Sequence, residues 1–147
     1  MATLVPILLV FLAGCMVALQ APTNAMLAKA GGSPVLAALI SFAVGTFALL
    51  LAWLSSSSRP PAASFAALPW YAWLGGLYGA VFVAVAAFAA PRIGLAALIT
   101  IGIAGQVAMA LLLDHFGALG LPREPINIGR VAGALLVLIG VVLVRRS

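Results

Sequence analysis

The chain has 147 residues, of which 66% are hydrophobic and only 6% are charged, and its mean hydropathy is +1.32. A soluble domain carries about 45–50% apolar and about 25% charged residues, so this chain lacks the polar surface that water requires. The composition excludes a soluble globular protein and predicts an all-α integral membrane protein. The formal net charge of +5 comes from basic side chains that are scattered mostly singly, so we expect no nucleic-acid partner.

Five apolar segments match the roughly 20 residues that a helix needs to cross a bilayer. We expect them to form five transmembrane helices in a single transmembrane domain that covers residues 1–147. The predicted spans are 4–28, 35–54, 69–90, 93–113 and 128–144. Chain-breaking residues separate them at 31–34 (GGSP), 55–61 (SSSSRPP), 91–92 (PR, which predicts a tight connection) and 117–127.

The segment Leu-Ala-Gly-Cys at 12–15 resembles the lipobox at which a lipoprotein precursor is cleaved and its cysteine acylated. Such signals begin with a positively charged region, but the first basic side chain of this chain is Lys29. Four further apolar spans follow the first one, in place of a secreted domain. We therefore interpret Cys15 as a small packing residue inside the first transmembrane helix.

The basic residues are distributed almost evenly between the two sides of the membrane. With five spans, one side receives Arg59, Arg123 and Arg130, and the other receives Lys29, Arg92, Arg145 and Arg146. An excess of Lys and Arg in short loops sets the orientation of a membrane protein, so a difference of one residue gives little bias. We expect insertion in both orientations and an antiparallel homodimer. A single orientation that weaker signals select is the alternative.

Three amide side chains interrupt the apolar spans. Gln20 and Asn24 are four residues apart and therefore share one face of the first helix, while Gln106 lies in the middle of the fourth. Polar groups in a membrane usually face the bundle interior or a wet cavity, so these three residues are candidate substrate-binding residues. The alternative is that they only form interhelical hydrogen bonds, each worth ~1 kcal/mol.

Charged side chains lie near the ends of the predicted spans. Asp114 ends the fourth helix, where a negative charge opposes the helix dipole, so we expect a cationic partner for it. Arg130 and Arg123 are the nearest candidates, and the resulting ion pair is either a gate or a structural contact. The sequence has no clustered metal ligands, nucleophile–base pair or phosphate loop. We therefore expect no metal, no cofactor and no enzymatic activity.

Glycines recur at spacings that let helices approach one another closely. They are Gly75, Gly76 and Gly79 in the third span, and Gly129, Gly133 and Gly140 in the fifth. A stripe of small residues in the second span includes Ala37, Ser41 and Gly45. We interpret all of these residues as helix-packing positions. Because the fifth span is almost wholly apolar, we expect it to hold the subunits of a dimer together.

Three stretches resemble the YdcZ-like family of bacterial inner-membrane proteins: ALQAPTNAML, GGLYGAVFV and GLAALITIGIAGQVAMALLLDHFG. This family is placed in the drug/metabolite transporter superfamily, beside the small multidrug resistance proteins. The resemblance implies five helices, antiparallel homodimers or paired homologues, and export or exchange of a small solute. The multidrug relatives have a glutamate in the first helix that binds protons and cationic drugs. This chain offers only Gln20 or Asn24 near that position.

Together these observations predict a small transporter of the bacterial inner membrane. It would move a small polar or amphiphilic solute by alternating access in an antiparallel homodimer. Its partners would be a second copy of the chain, the lipid bilayer and a small-molecule substrate. A passive channel, which predicts conductance that does not saturate, is one alternative. A non-transporting assembly subunit, which predicts no dependence on any solute, is the other.

Overall fold

The computed structural model describes residues 4–57, 59–61 and 63–146. Its helices are α1 (Leu4–Gly31), α2 (Pro34–Ser55), the short α3 (Ala63–Ala66), α4 (Gly75–Ile93), α5 (Leu95–Phe116) and α6 (Ile128–Arg146). Turns of 3-10 helix cover Trp70–Leu74 and Ala118–Gly120. The described residues contain no β-strand, so the all-α prediction is confirmed.

Five helical segments of the described chain are long and apolar enough to cross a membrane, as predicted. They are α1, α2, the continuous segment Trp70–Ile93, α5 and α6, with mean hydropathies between 1.8 and 2.5. Within the most apolar stretch of each segment, at most 17% of the residues are buried, and in α6 the share is 0%. Lipid or another protein must therefore cover most of this surface. The single transmembrane domain stays a prediction.

The chain divides into two compact units, Met1–Arg92 and Ile93–Ser147. In the first unit, α1 and α2 pack against each other as a helical hairpin with a short connection. Ser33 caps the start of α2, because its Oγ accepts a hydrogen bond from the Leu36 N–H at 3.2 Å. Pro34 follows at the first helical position, where its missing N–H costs nothing.

The side chain of Arg59 binds the C-terminal end of α2, where the predicted span meets water. Its guanidinium donates hydrogen bonds to the carbonyl oxygens of Trp53, Leu54 and Ser56 at 3.1, 3.0 and 2.9 Å. The last carbonyls of a helix lack partners within it, and a cation at this end also interacts favourably with the helix dipole. The same guanidinium lies 4.6 Å from the centroid of the Trp53 ring. This contact anchors an exposed aromatic side chain where such residues meet lipid headgroups.

The first unit buries mainly small side chains. They are Ala21, Ala37, Ala38, Val83, Ala86 and Ala87, together with the polar Asn24. Gly79 of α4 faces Phe42 of α2, since a Cβ at Gly79 would lie 3.1 Å from the tip of the Phe42 ring. The small side chains let α1 and α2 approach closely, and Gly79 leaves room for the tip of the Phe42 ring.

The other predicted packing glycines have more space. Within the described residues, no atom lies within 4 Å of a Cβ built at Gly75, Gly76, Gly133 or Gly140. A Cβ at Gly129 would meet only Asn127 Oδ1, at 3.4 Å. Their role in packing against a partner stays a prediction.

The connection predicted at Pro91-Arg92 is wrong, because α4 continues through both residues to Ile93. Pro91 lies in the last turn of the helix, where it removes only one backbone donor. Arg92 donates a hydrogen bond back to the Phe88 carbonyl oxygen, and its guanidinium lies 3.7 Å from the centroid of the Phe88 ring. The helix ends instead just before Gly94, whose φ of +80° is accessible to glycine without strain.

The second unit consists of α5 and α6, which pack against each other. Gly117 ends α5 in the left-handed conformation (φ +60°), and its N–H donates to the Asp114 carbonyl oxygen at 3.2 Å. Asn127 starts α6, because its Oδ1 accepts a hydrogen bond from the Arg130 N–H at 2.9 Å. Half-buried residues recur on α6 about every three or four positions, at Arg130, Ala134, Val137 and the adjacent pair Gly140 and Val141. This spacing is that of one helix face packed against a neighbour.

Candidate functional site

Gln20 joins the two helices of the α1–α2 hairpin. Its Nε2 donates a part-buried hydrogen bond to Ser41 Oγ at 3.4 Å. Asn24, four residues further along α1, and Ala37, four residues before Ser41 on α2, are both buried, with 3% and 0% of their surface exposed.

Asn24 has a buried donor without an acceptor. Its Nδ2 forms no hydrogen bond with any described residue. The other residues that this hairpin buries are Ala21, Ala37 and Ala38, whose side chains have no acceptor. A buried amide that lacks a partner costs about 1–3 kcal/mol. Most buried polar groups in proteins are paired, so this one requires an explanation.

Both amides lie deep in the apolar segment. At 1.5 Å per residue, Gln20 and Asn24 are about 16 and about 10 Å along the helix from Gly31, where α1 ends. The α1 helix runs unbroken past Pro22, which lies between them. Their four-residue spacing therefore keeps them on one face, as predicted.

Thr23, which lies between the two amides in sequence, does not join them. Its exposed Oγ1 donates to the carbonyl oxygens of Leu19 and Gln20 in the same helix, at 3.1 and 2.9 Å. Such backbone contacts are usual for threonine in a helix and occupy its only donor. Thr23 is therefore a useful reference position, because it is polar and adjacent but already hydrogen-bonded within its own helix.

Gln106, the third predicted binding residue, belongs to the second unit. It lies in the middle of α5. Its side chain is exposed and forms no hydrogen bond with any described residue. An exposed amide in a spanning helix faces lipid, a partner chain or a wet cavity. Its participation in a site with Gln20 and Asn24 stays a prediction.

Asp114 has the cationic partner that its position at the end of α5 requires. Arg130 Nη1 lies 3.2 Å from Asp114 Oδ2, and Arg130 Nη2 lies 2.8 Å from Glu124 Oε2. Arg130 Nη1 also donates to the Glu124 carbonyl oxygen at 3.2 Å. Of the two predicted partners, Arg130 therefore makes the ion pair. Arg123 instead donates through Nε to the His115 carbonyl oxygen at 3.2 Å.

The remaining polar groups of this loop are also paired. His115 Nδ1 accepts a hydrogen bond from the Ile126 N–H at 3.1 Å, so neutral His115 carries its proton on Nε2. The Glu124 N–H donates to the Asp114 carbonyl oxygen at 2.7 Å. These contacts close the long connection between α5 and α6. The structural and the gating roles of the ion pair both stay predictions.

Sequence reasoning missed two parts of these clusters. Ser41 was assigned to a stripe of small packing residues, although a hydroxyl opposite an amide across a tight hairpin is a signal for a hydrogen bond. The part of Glu124 in the Arg130 network was also missed, because an irregular loop gives no periodic signal. Among the described residues, no group of three or more His, Cys, Asp or Glu could hold a metal ion.

Comparison with known proteins agrees with the sequence motifs. A family model described as "Putative inner membrane exporter, YdcZ" matches residues 5–143. No curated protein and no solved structure matches the chain. The family match reaches from the start of α1 into the last turns of α6, so it includes both helical hairpins and the three candidate amides. The resemblance found in the motifs is confirmed.

Proposed function

Because the chain belongs to the YdcZ family and is a multi-pass protein of the inner membrane, we propose that it exports a small polar or amphiphilic solute. The observation that carries this proposal is the unpaired Nδ2 of Asn24, which is buried inside an apolar helical hairpin. Such a donor raises the free energy of the empty protein, and a ligand that accepts its hydrogen bond offsets this cost. Gln20 is the second binding residue and Gln106 the third.

Alternating access in an antiparallel homodimer is the mechanism that we propose. The near-equal numbers of basic residues on the two sides support insertion in both orientations. The α6 helix supports a dimer, since large apolar side chains such as Leu136 and Leu143 are 68% and 63% exposed. Two inverted copies would present their amides to a shared path, and rocking of one copy against the other would open that path to each side in turn.

A topology experiment tests the dimer. Reporters that are active on one side only are fused to the C-terminus or inserted after Ser57, between α2 and α4. We expect each fusion to give signal on both sides of the membrane. Signal on one side alone would overturn the antiparallel homodimer while leaving the export function intact.

A transport experiment tests the function itself. Proteoliposomes that contain the purified chain are loaded with lactate, alanine, glycerol or tetraethylammonium, and the initial rate of efflux is measured against internal concentration. We expect saturable efflux of at least one solute and loss of that efflux in Asn24→Leu. Thr23→Val is the matched control, because Thr23 bonds only to its own helix. Efflux that does not saturate would indicate a channel, and no efflux would indicate an assembly subunit.

A further inference from the structure

We propose that Ser41 joins Gln20 and Asn24 in a hydrogen-bond-donor site that selects solutes with oxygen acceptors, such as carboxylates, and rejects cations. This inference rests on the proposed export function and gives it a substrate class. It also adds Ser41, a residue from α2, to two residues from α1. The site therefore belongs to the α1–α2 hairpin of the first unit.

The buried polar atom of this hairpin that lacks a partner is a donor, Asn24 Nδ2. Asn24 Nδ2 has two hydrogens and no acceptor among the described residues. Gln20 Nε2 also has two hydrogens and uses one of them on Ser41 Oγ. The Ser41 hydroxyl accepts that bond and keeps its own hydrogen to donate. A ligand with two or more oxygen lone pairs would accept hydrogen bonds from these unused donors.

The α1–α2 hairpin itself contains no carboxylate that could pair with a cation. Its only two acidic residues are Asp114 and Glu124, and both contact Arg130 in the second unit. A cation that leaves water for an apolar hairpin without a carboxylate partner pays a desolvation penalty that amides alone do not offset. An anion or a carbonyl instead receives N–H and O–H donors directly.

The buried surroundings of Asn24 explain why its donor stays free. The other buried side chains of the hairpin are those of Ala21, Ala37 and Ala38, and none of them has an acceptor. A group from outside the hairpin would therefore supply the acceptor for Asn24 Nδ2. Asn24 lies well inside α1, so a ligand group bound to it would be surrounded by apolar side chains. A hydrogen bond in such surroundings discriminates strongly between ligands.

Efflux selectivity in proteoliposomes tests the donor site, with lactate as the acceptor-bearing probe and tetraethylammonium as the cation that lacks acceptors. We expect saturable lactate efflux about a hundredfold faster than tetraethylammonium efflux, because a site built for hydrogen bonds rejects a ligand that cannot make them. Ser41→Ala should lower lactate efflux about fivefold, the effect of one hydrogen bond. Asn24→Leu should abolish it, and Thr23→Val should leave it unchanged.

Thermal unfolding of the purified full chain gives a second readout that needs no ligand. Asn24→Leu keeps the number and branching of the side-chain heavy atoms and removes the unpaired donor, so the melting temperature should rise by about 5 °C. A fall in melting temperature would show that the amide has a structural partner and would overturn the donor site. Preferred efflux of tetraethylammonium, or unchanged selectivity in Ser41→Ala, would also overturn it and leave export standing. Absence of saturable efflux for every probe would overturn the export function, and this inference with it.

Discussion

The α1–α2 hairpin and the α5–α6 hairpin differ in where their polar side chains lie and in whether these side chains are paired. Between α5 and α6, polar side chains gather at the connection and pair with one another, so that Asp114 and Glu124 share Arg130. Between α1 and α2, the polar side chains lie within the apolar helices, and Asn24 Nδ2 has no partner among the described residues. The first arrangement stabilises a loop near water. The second costs stability, which is typical of a residue kept for binding.

The strongest test of this contrast is a charge at the unpaired position. Asn24→Asp should destabilise the protein by about 2 kcal/mol, because a carboxylate inside the apolar part of a spanning helix is costly, although less so than at the helix centre. Thermal unfolding of the purified chain measures this loss. Asp114→Asn is the comparison, since it alters a half-exposed acid near water and should cost less. Equal losses for the two variants would mean that the two hairpins do not differ in their access to water.

In the α5–α6 hairpin, Arg130→Met should cost about 1–2 kcal/mol of unfolding free energy. The change leaves Asp114 at the end of α5 without its cation, in a position where the helix dipole already disfavours an acid. The loss is limited because water reaches both side chains, which are 29% and 36% exposed. Arg123→Met, which removes a single bond to a carbonyl, should cost less than half as much in the same unfolding measurement. A larger loss of unfolding free energy in Arg123→Met than in Arg130→Met would show that Arg123 contributes more to the stability of the α5–α6 connection.

The Gln20–Ser41 bond of the α1–α2 hairpin should contribute about 0.6 kcal/mol, the average found for side-chain hydrogen bonds between membrane helices. A double-mutant cycle with Gln20→Met and Ser41→Ala isolates this coupling from the other effects of each change. Unfolding free energies of the four proteins provide the measurement. A coupling near zero would remove Ser41 from the site.

The smallest effect is expected at Gly79 of α4. Gly79→Ala brings a methyl group within 3.1 Å of the Phe42 ring tip, which can move aside, so the loss should stay below about 0.5 kcal/mol. Gly76→Ala is the matched control, because no described atom lies within 4 Å of its Cβ position. Melting temperatures of the two variants should differ by only a degree or two. A larger loss at Gly76 would point to a partner chain packed against it.

Most of the fold could be predicted from the sequence because a membrane span is a local property. Five apolar runs, each about as long as the bilayer is thick, determine five helices whatever their neighbours are. The prediction failed at Pro91-Arg92, where Arg92 contacts Phe88 and α4 continues to Ile93, just before Gly94 with its positive φ. Helix ends depend on such side-chain contacts, which hydropathy does not describe.

The sequence by itself determined that Gln20 and Asn24 share one face of a spanning helix, since helical periodicity alone decides that. Only the tertiary structure decided that Gln20 meets Ser41 while the buried Nδ2 of Asn24 finds no acceptor among the described residues. Likewise, only the packing of α5 on α6 selected Arg130 over Arg123 as the partner of Asp114. The reason is the same in both cases. Periodicity acts within one helix, whereas a hydrogen bond between helices depends on their register.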